Sequence, residues 1–246
     1  MQCAEAGDPD GLWLVADVQT KGRGRTKRTW ISQPGNLFAS YYTNFSAPAY
    51  KVPGAPLVAG IALYDAVETL FGERTTLFNE TEIRSDEAES TNPANPLSLK
   101  WPNDLLCGGA KLAGILIETT SSPTPGLYPV IFGFGLNIKS APQLSDRETT
   151  SLIDQKLDVT PAHALEVLAS SLDHWLGVWQ EGRGMNKICE AAMERSVPMG
   201  SRLRVSGIKG DPIEGRFAGL NEQGALLLDS GGKIRTVTFG DVDILN

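Results

Sequence analysis

The stretch Lys21-Gly22-Arg23-Gly24-Arg25-Thr26-Lys27-Arg28-Thr29-Trp30 gathers five of the chain's 22 Lys and Arg residues within eight positions. Glycines between the cations let the backbone take positive φ and approach a ligand closely, and successive N–H groups in such a loop form an anion-binding concavity. The arginines add forked, bidentate bonds to phosphate or carboxylate. Trp30 supplies a flat face for stacking. In a chain of net charge −7, this concentration of positive charge predicts an anionic ligand. A solvated basic loop is the simpler reading of any lone basic run, but two interleaved glycines and a closing tryptophan serve no solubility purpose. Nucleic acid would need a broad basic surface, against a pI near 5.0.

The elements that must position this loop follow from the hydropathy pattern. Leu12–Ala16 is a short apolar run that predicts a buried strand leading into it. Pro34-Gly35 marks a turn, and Asn36–Thr43 predicts the next strand. After Pro53-Gly54, the spacing of Leu57, Ile61, Tyr64, Val67 and Phe71 predicts one face of a helix, with Gly72 as its stop. Residues 73–96 are acidic and polar, with Pro93 and Pro96, and predict an exposed insertion. Leu97–Trp101 and Lys111–Glu118 predict a hairpin with a loop of about ten residues, broken by Pro102-Asn103-Asp104. Tyr128–Ile138 predicts a further strand, in which Gly133 and Gly135 mark close approach of a ligand or another backbone. Thr160-Pro161 predicts a capped helix start, and a second short helix spans about Met185–Arg195. His174 beside the helix stripe is given no catalytic role. From Val197 onward, short runs at Arg202–Val205, Ile213–Leu220, Ala225–Leu228 and Ile234–Phe239 predict a small β-barrel. The chain therefore divides near Ser196 into residues 1–196 and 197–246.

At 246 residues with 41% hydrophobic content, the chain can bury a sizeable core. No apolar run approaches the ~20 residues that span a bilayer, and the first residues lack the pattern of a signal peptide. Cys3, Cys107 and Cys189 are odd in number and far apart, which fits a reducing, cytoplasmic setting. With His163 and His174 the only histidines, no metal site is expected, and any Mg2+ arrives with a nucleotide.

Four stretches occur here in the order found in biotin protein ligases: Gly22-Arg23-Gly24-Arg25 with Arg28 and Trp30, then Lys100-Trp101-Pro102-Asn103-Asp104, then Lys111-Leu112-Ala113-Gly114-Ile115-Leu116-Ile117-Glu118, then Gly133-Phe134-Gly135-Leu136-Asn137. With the terminal barrel, the sequence closely resembles the single-function bacterial form over nearly its whole length. The resemblance implies an α+β (α/β) catalytic domain like that of class II aminoacyl-tRNA synthetases, with a mixed sheet, followed by an SH3-like barrel. It implies that biotin and ATP, with Mg2+, give biotinyl-5′-AMP, and that biotin passes to a lysine of a biotin carboxyl carrier domain. By resemblance, Lys111 and Arg25 are catalytic. Gln19, Arg23, Gly24, Arg25, Lys111, Gly114, Gly133 and Gly135 bind biotin. Arg25, Arg28, Trp30, Lys100, Asn103, Asp104 and Asn137 bind ATP. The loop is expected to order over the adenylate and keep water from it. No DNA or membrane partner is expected, and a homodimer is compatible with the resemblance.

Two departures carry expectations. The family loop has Arg then Gly where Thr26 and Lys27 stand, which predicts a stiffer loop. Family members also carry an Asp-Ser-Thr-Asn segment ahead of the loop, preceded by a strand and helix. Here the chain begins about where that helix should end, and Ser90-Thr91-Asn92 falls after the loop and receives no role. A lipoate or octanoyl ligase, or a truncated homologue that binds nucleotide or carrier protein without catalysis, stand as the alternatives.

Overall fold

A computed structural model describes residues 10–46, 54–81, 96–122, 124–207 and 211–245. Six strands, β1 (Leu12–Ala16), β2 (Leu37–Phe45), β3 (Leu97–Lys100), β4 (Asp104–Cys107), β5 (Ala110–Thr119) and β6 (Tyr128–Leu136), form one sheet in the order β1-β2-β6-β5-β4-β3. Every paired neighbour runs antiparallel. The parallel component of the mixed sheet consists of two single bridges, Leu99 with Ser196 and Lys111 with Thr149.

Alternation along the strands sorts the side chains. Leu37, Ala39, Phe132, Phe134, Ala113, Ile115 and Leu105 join a core with three helices, α1 (Ala55–Thr81), α2 (Pro161–Trp179) and α3 (Met185–Arg195). The opposite register positions on β2, β6 and β5 are Ser40, Gly133, Gly135 and Gly114, and they carry the site. Thr160 caps α2 by accepting the His163 N–H through its hydroxyl, and Pro161 fills the first turn.

Helix α1 departs from expectation in two ways. It runs through Gly72 to Thr81, because that glycine keeps helical φ and never adopts the left-handed state a stop requires. Its portion Ala55–Arg74 is also long and apolar enough to cross a membrane, by length and composition alone. Asp65 and Glu68 hide that length in the sequence. In the fold the stretch is a core helix, and Asp65 accepts hydrogen bonds from Arg195 Nε (2.6 Å) and Trp175 Nε1 (2.8 Å). The rest of the predicted insertion, including Ser90-Thr91-Asn92, lies outside the described residues.

Strand β1 is an edge strand rather than a buried one, with Leu14 and Val15 about half exposed. The predicted ten-residue hairpin loop contains β4. The turn at Pro102-Asn103 ends β3, and Leu105-Leu106-Cys107 then returns as a buried strand between β3 and β5.

The C-terminal part is a five-stranded antiparallel sheet, β7 (Arg202–Ser206), β8 (Ile213–Leu220), β9 (Leu226–Asp229), β10 (Ile234–Val237) and β11 (Asp241–Ile244), in the order β10-β9-β8-β7-β11. Its fifth strand, β11, is missing from the sequence reading, because Asp241 and Asp243 mask a four-residue strand. This sheet has its own core, including Leu203, Val205, Phe217, Leu226 and Leu228. Trp101 Nε1 donates to Gly224 O (3.1 Å), fastening the barrel to the turn before β4.

Candidate active site

Lys111, Asp104 and Gly114 converge because of one irregularity. Asp104 pairs with Gly114 and Leu105 with Ala113, but Leu106 pairs with Lys111. The extra residue, Leu112, is a β-bulge that rotates the strand start. Without it Lys111, three positions from Gly114, would point to the opposite face. With it, Lys111 Nζ reaches Asp104 Oδ1 at 2.6 Å, while Lys100 Nζ lies 3.1 Å from Asp104 Oδ2. The Lys111 backbone is clamped as well, donating to Glu148 O and accepting from Thr150 N, both at 2.9 Å.

This triad is shielded: the side chains of Asp104, Lys100 and Lys111 are 7%, 13% and 15% exposed. Burial alone would push the Asp104 carboxyl up, but the charges of Lys111 and Lys100 and their hydrogen bonds prevail and hold it below its usual range. For Lys111 burial wins. It lowers the ammonium pKa against the pull of Asp104, with Lys100 and Arg147 adding to the lowering.

The basic loop lies over this face as a small hairpin. Gly24 N donates to Arg28 O (2.7 Å) and Trp30 N to Gly22 O (3.0 Å). Its tip is a 3₁₀ turn over Arg25–Lys27, in which Thr26 takes φ 52°. Left-handed backbone at a β-branched residue is strained, so the loop tip carries its strain at Thr26.

The loop arginines already have protein partners. Arg23 pairs with Glu118 at 2.9 Å. Arg25 donates to Asn103 Oδ1 (3.2 Å) and Gly240 O (3.1 Å), and its guanidinium lies over the Phe239 ring. Arg28 pairs with Asp241 at 2.8 Å. Burial lowers the Arg25 pKa against the opposing charges of Asp241 and Asp104. The barrel thus contributes Gly240 and Asp241 to the site. Neither could be found from the sequence, since only tertiary packing brings position 241 to position 28.

Gly114 and Gly135 pair directly across β5 and β6, and the Trp30 indole rests on both. A Cβ at Gly114 would meet Trp30 Cζ3 at 2.7 Å, and one at Gly135 would meet Cζ2 at 2.5 Å. Lys111 Nζ lies 5.4 Å from the indole centroid, within cation–π range. Trp30 Nε1 is buried with no acceptor among the described residues. The sequence reading put Trp30 with ATP and these two glycines with biotin; the fold places all three in contact. At Gly133 the nearest atom is Leu116 O, 3.2 Å from a would-be Cβ, so it is strand contact that keeps that position small. Asn137 is buried and its Nδ2 donates to Thr150 O at 3.1 Å, while Asn103 Nδ2 donates to Ile115 O at 2.8 Å. Both asparagines therefore also brace the site's backbone. Gln19 lies at the loop entrance, its N–H donating to Ser32 Oγ at 2.7 Å.

A cavity of about 620 Å3 runs beneath the loop, within the usual range for a small-molecule site. Gln19, Arg23, Gly24, Arg25, Arg28, Trp30, Asn103, Asp104, Lys111, Gly114, Gly133, Gly135 and Asn137 all line it. Lys100 does not. It faces a smaller polar cavity of about 160 Å3 between sheet and barrel and joins the main one through Asp104. Away from the cations, the main cavity is walled by Leu14, Val18, Tyr42 and Ile131, with Ser40 as a polar group. Of these all but Val18 fall in runs that the sequence marks as strand, but apart from Gly133 and Gly135 the pattern gives no sign of which side of the sheet is the open one.

The biotin/lipoate A/B protein ligase family model matches residues 5–137, and the biotin protein ligase C-terminal domain model matches residues 200–245. The chain is 31% identical to a biotin–[acetyl-CoA-carboxylase] ligase of Mycobacterium tuberculosis, over 98% of this chain and 82% of that protein. It is 29% identical to the ligase of the same name from Paracoccus denitrificans, over 88% and 83%. A solved biotin protein ligase from Aquifex aeolicus, in complex with biotin and ATP, shares the fold with a TM-score of 0.73 and 26% identity, over 99% of this chain and 93% of that one. The chain belongs to the biotin/lipoate A/B protein ligase family.

Proposed function

We propose that this protein is a biotin protein ligase that makes biotinyl-5′-AMP and passes biotin to a lysine of a biotin carboxyl carrier domain. The observation that carries this reading is the cavity in which an apolar pouch meets the cationic loop and the Lys111–Asp104 ion pair, with Lys100 behind Asp104. A carboxylic acid with an apolar body fits the pouch, and a polyphosphate fits the cations.

In the first step a biotin carboxylate oxygen attacks the α-phosphorus, and the bond from that phosphorus to the bridging oxygen breaks, releasing pyrophosphate. Two anions must be brought together, so fixed positive charge and positioning supply most of the rate. Lys111 stands where the two anions meet, and Asp104 holds its ammonium in place and charged. Arg25 and Arg28 exchange their contacts with Asn103, Gly240 and Asp241 for phosphate oxygens. Arg23 and Gly24 cover the carboxylate, and Gln19 and Gly133 border the apolar end. Trp30 stacks on the nucleotide from its seat on Gly114 and Gly135, with Asn103 and Asn137 bracing that wall. In the second step the carrier lysine nitrogen attacks the acyl carbon, loses a proton and expels AMP.

Mg2+ enters as the companion of ATP. An ion that accompanies ATP is held largely by phosphate oxygens and water. We place the boundary between the catalytic part and the barrel at Ser196, where α3 ends. A cytoplasmic setting accords with the free, buried Cys107 and Cys189. A homodimer could use the exposed Leu14 and Val15 of edge strand β1, and sedimentation tests it.

The deciding experiment is biotin-dependent ATP–pyrophosphate exchange, followed by transfer to a carrier domain. Exchange with biotin and not with lipoate or octanoate is the expected result. Exchange with lipoate alone would overturn the substrate assignment. No exchange by a folded chain would favour a non-catalytic binding protein.

A further inference from the structure

Arg147 belongs to none of the matched motifs, yet it lines both the main cavity and the small polar cavity between sheet and barrel. It lies two residues before Thr149, whose bridge to Lys111 fixes this segment against the start of β5. The smaller cavity also exposes Arg25, Arg28 and Lys100. Four cationic side chains from the loop, from β3 and from the segment after β6 thus face one space of about 160 Å3, too small for a nucleoside and suited to a compact polyanion.

Four carboxylates, Asp104, Asp146, Asp241 and the exposed Asp243, also line that space and differ in how firmly they are held. Asp104 is buried between two lysines, and Asp241 is engaged by Arg28. Asp146, the partner of Arg147, is 61% exposed and binds it through one oxygen, Oδ2, at 2.6 Å from Nη2 and 3.2 Å from Nε. A pair of adjacent residues at that exposure holds weakly. The backbone just after Arg147 is held to Lys111 through Glu148 O and Thr150 N, both at 2.9 Å, whereas the Asp146 carboxylate is mostly exposed and can leave. An arriving phosphate oxygen pair would take the same guanidinium edge in bidentate form.

We propose that Arg147 is a polyphosphate-binding residue: with Arg25, Arg28 and Lys100 it holds the β- and γ-phosphates of ATP and then the pyrophosphate product, displacing Asp146. The proposal rests on the adenylate-forming reading of the site. It assigns the leaving group its own compartment, on the barrel side of Asp104, away from the apolar pouch.

Calorimetry with magnesium pyrophosphate on the full chain tests the proposal without requiring turnover. Arg147→Ala should weaken pyrophosphate binding by about tenfold to a hundredfold, the effect of losing a charge-assisted bond, while AMP binding stays unchanged. Arg147→Lys, which keeps the charge and loses the fork, should fall between the two. Asp146→Asn should tighten pyrophosphate by about two- to fivefold, since a competing surface pair is gone. Unchanged pyrophosphate affinity in Arg147→Ala, or an equal loss of AMP affinity, would overturn the assignment, as would weaker binding in Asp146→Asn or no binding by the parent. Failure of biotin-dependent exchange with pyrophosphate binding intact would instead strike the ligase reading.

Discussion

Replacing Lys111 by alanine removes the shielded ammonium that lines the main cavity beside Asp104, the group proposed to meet both anions. In the fold its Nζ lies 2.6 Å from Asp104 and its side chain is 15% exposed, so its charge acts at low solvent screening. Loss of a positioned charge contact at the reacting centre costs ~2–4 kcal/mol in activation free energy. At about 1.36 kcal/mol per decade, the exchange rate should fall by about thirtyfold to nine-hundredfold. The loss should appear in kcat as well as kcat/KM, because the contact strengthens as charge gathers at the α-phosphate. Stability should suffer less than activity. Asp104 keeps Lys100 at 3.1 Å, so the buried carboxylate is not orphaned. The assay is biotin-dependent ATP–pyrophosphate exchange on parent and Lys111→Ala chains, with thermal melts to confirm that both are folded. Equal exchange rates in two folded chains would refute the role given to Lys111.

Asp104→Asn is the converse case, leaving two shielded ammoniums facing each other without a counter-charge. It should cost about 3–5 kcal/mol of stability, read from urea unfolding. Because the folded Asp104 pKa is depressed below 3.8, the parent's advantage should persist above that pH and disappear as pH falls through the lower folded value; an advantage surviving in stronger acid would contradict the ion-pair account. Gly135→Ala brings a methyl within 2.5 Å of the Trp30 indole. The ring must leave its seat, so the tryptophan emission should shift red and the KM for ATP should rise; an unaltered spectrum would show that the indole does not rest there in solution. His163 bonds Glu73 at 2.8 Å and so ties α2 to α1, and that hydrogen bond is the main cause of its raised pKa. The tie is complete below the ordinary value of 6.5 and is lost as pH rises through the folded value. The melting-temperature gap between parent and His163→Gln should therefore be wider at about pH 5.5 than at about pH 9, and a gap independent of pH would argue against it.

Much of this protein is legible in local sequence because local physics decides it. Periodicity and capping fix helix α2 with its Thr160 cap and helix α3 from Met185 to Arg195, since a hydroxyl acceptor, a proline at the first turn and a repeating apolar face act within a few residues. The glycine–arginine loop and Lys100–Asp104 announce anion chemistry through residue type alone. Other features resist local reading for equally physical reasons. Gly72 is a stop only if its backbone turns left-handed, and here it keeps helical φ, a choice that residue type alone does not dictate. Strand β4 is too short to show a period, and its pairing with β3 and β5 creates it. The bulge at Leu112 has no signature in composition, yet it turns Lys111 toward Asp104. The partners of the loop arginines come from residues 118, 240 and 241, and Arg147 enters the site through a bridge between positions 111 and 149. Sequence alone therefore determined which residues carry charge, which stay small and which segments form helices. Tertiary structure decided which charges meet, because ion pairing and close approach depend on distances between segments that no local pattern encodes.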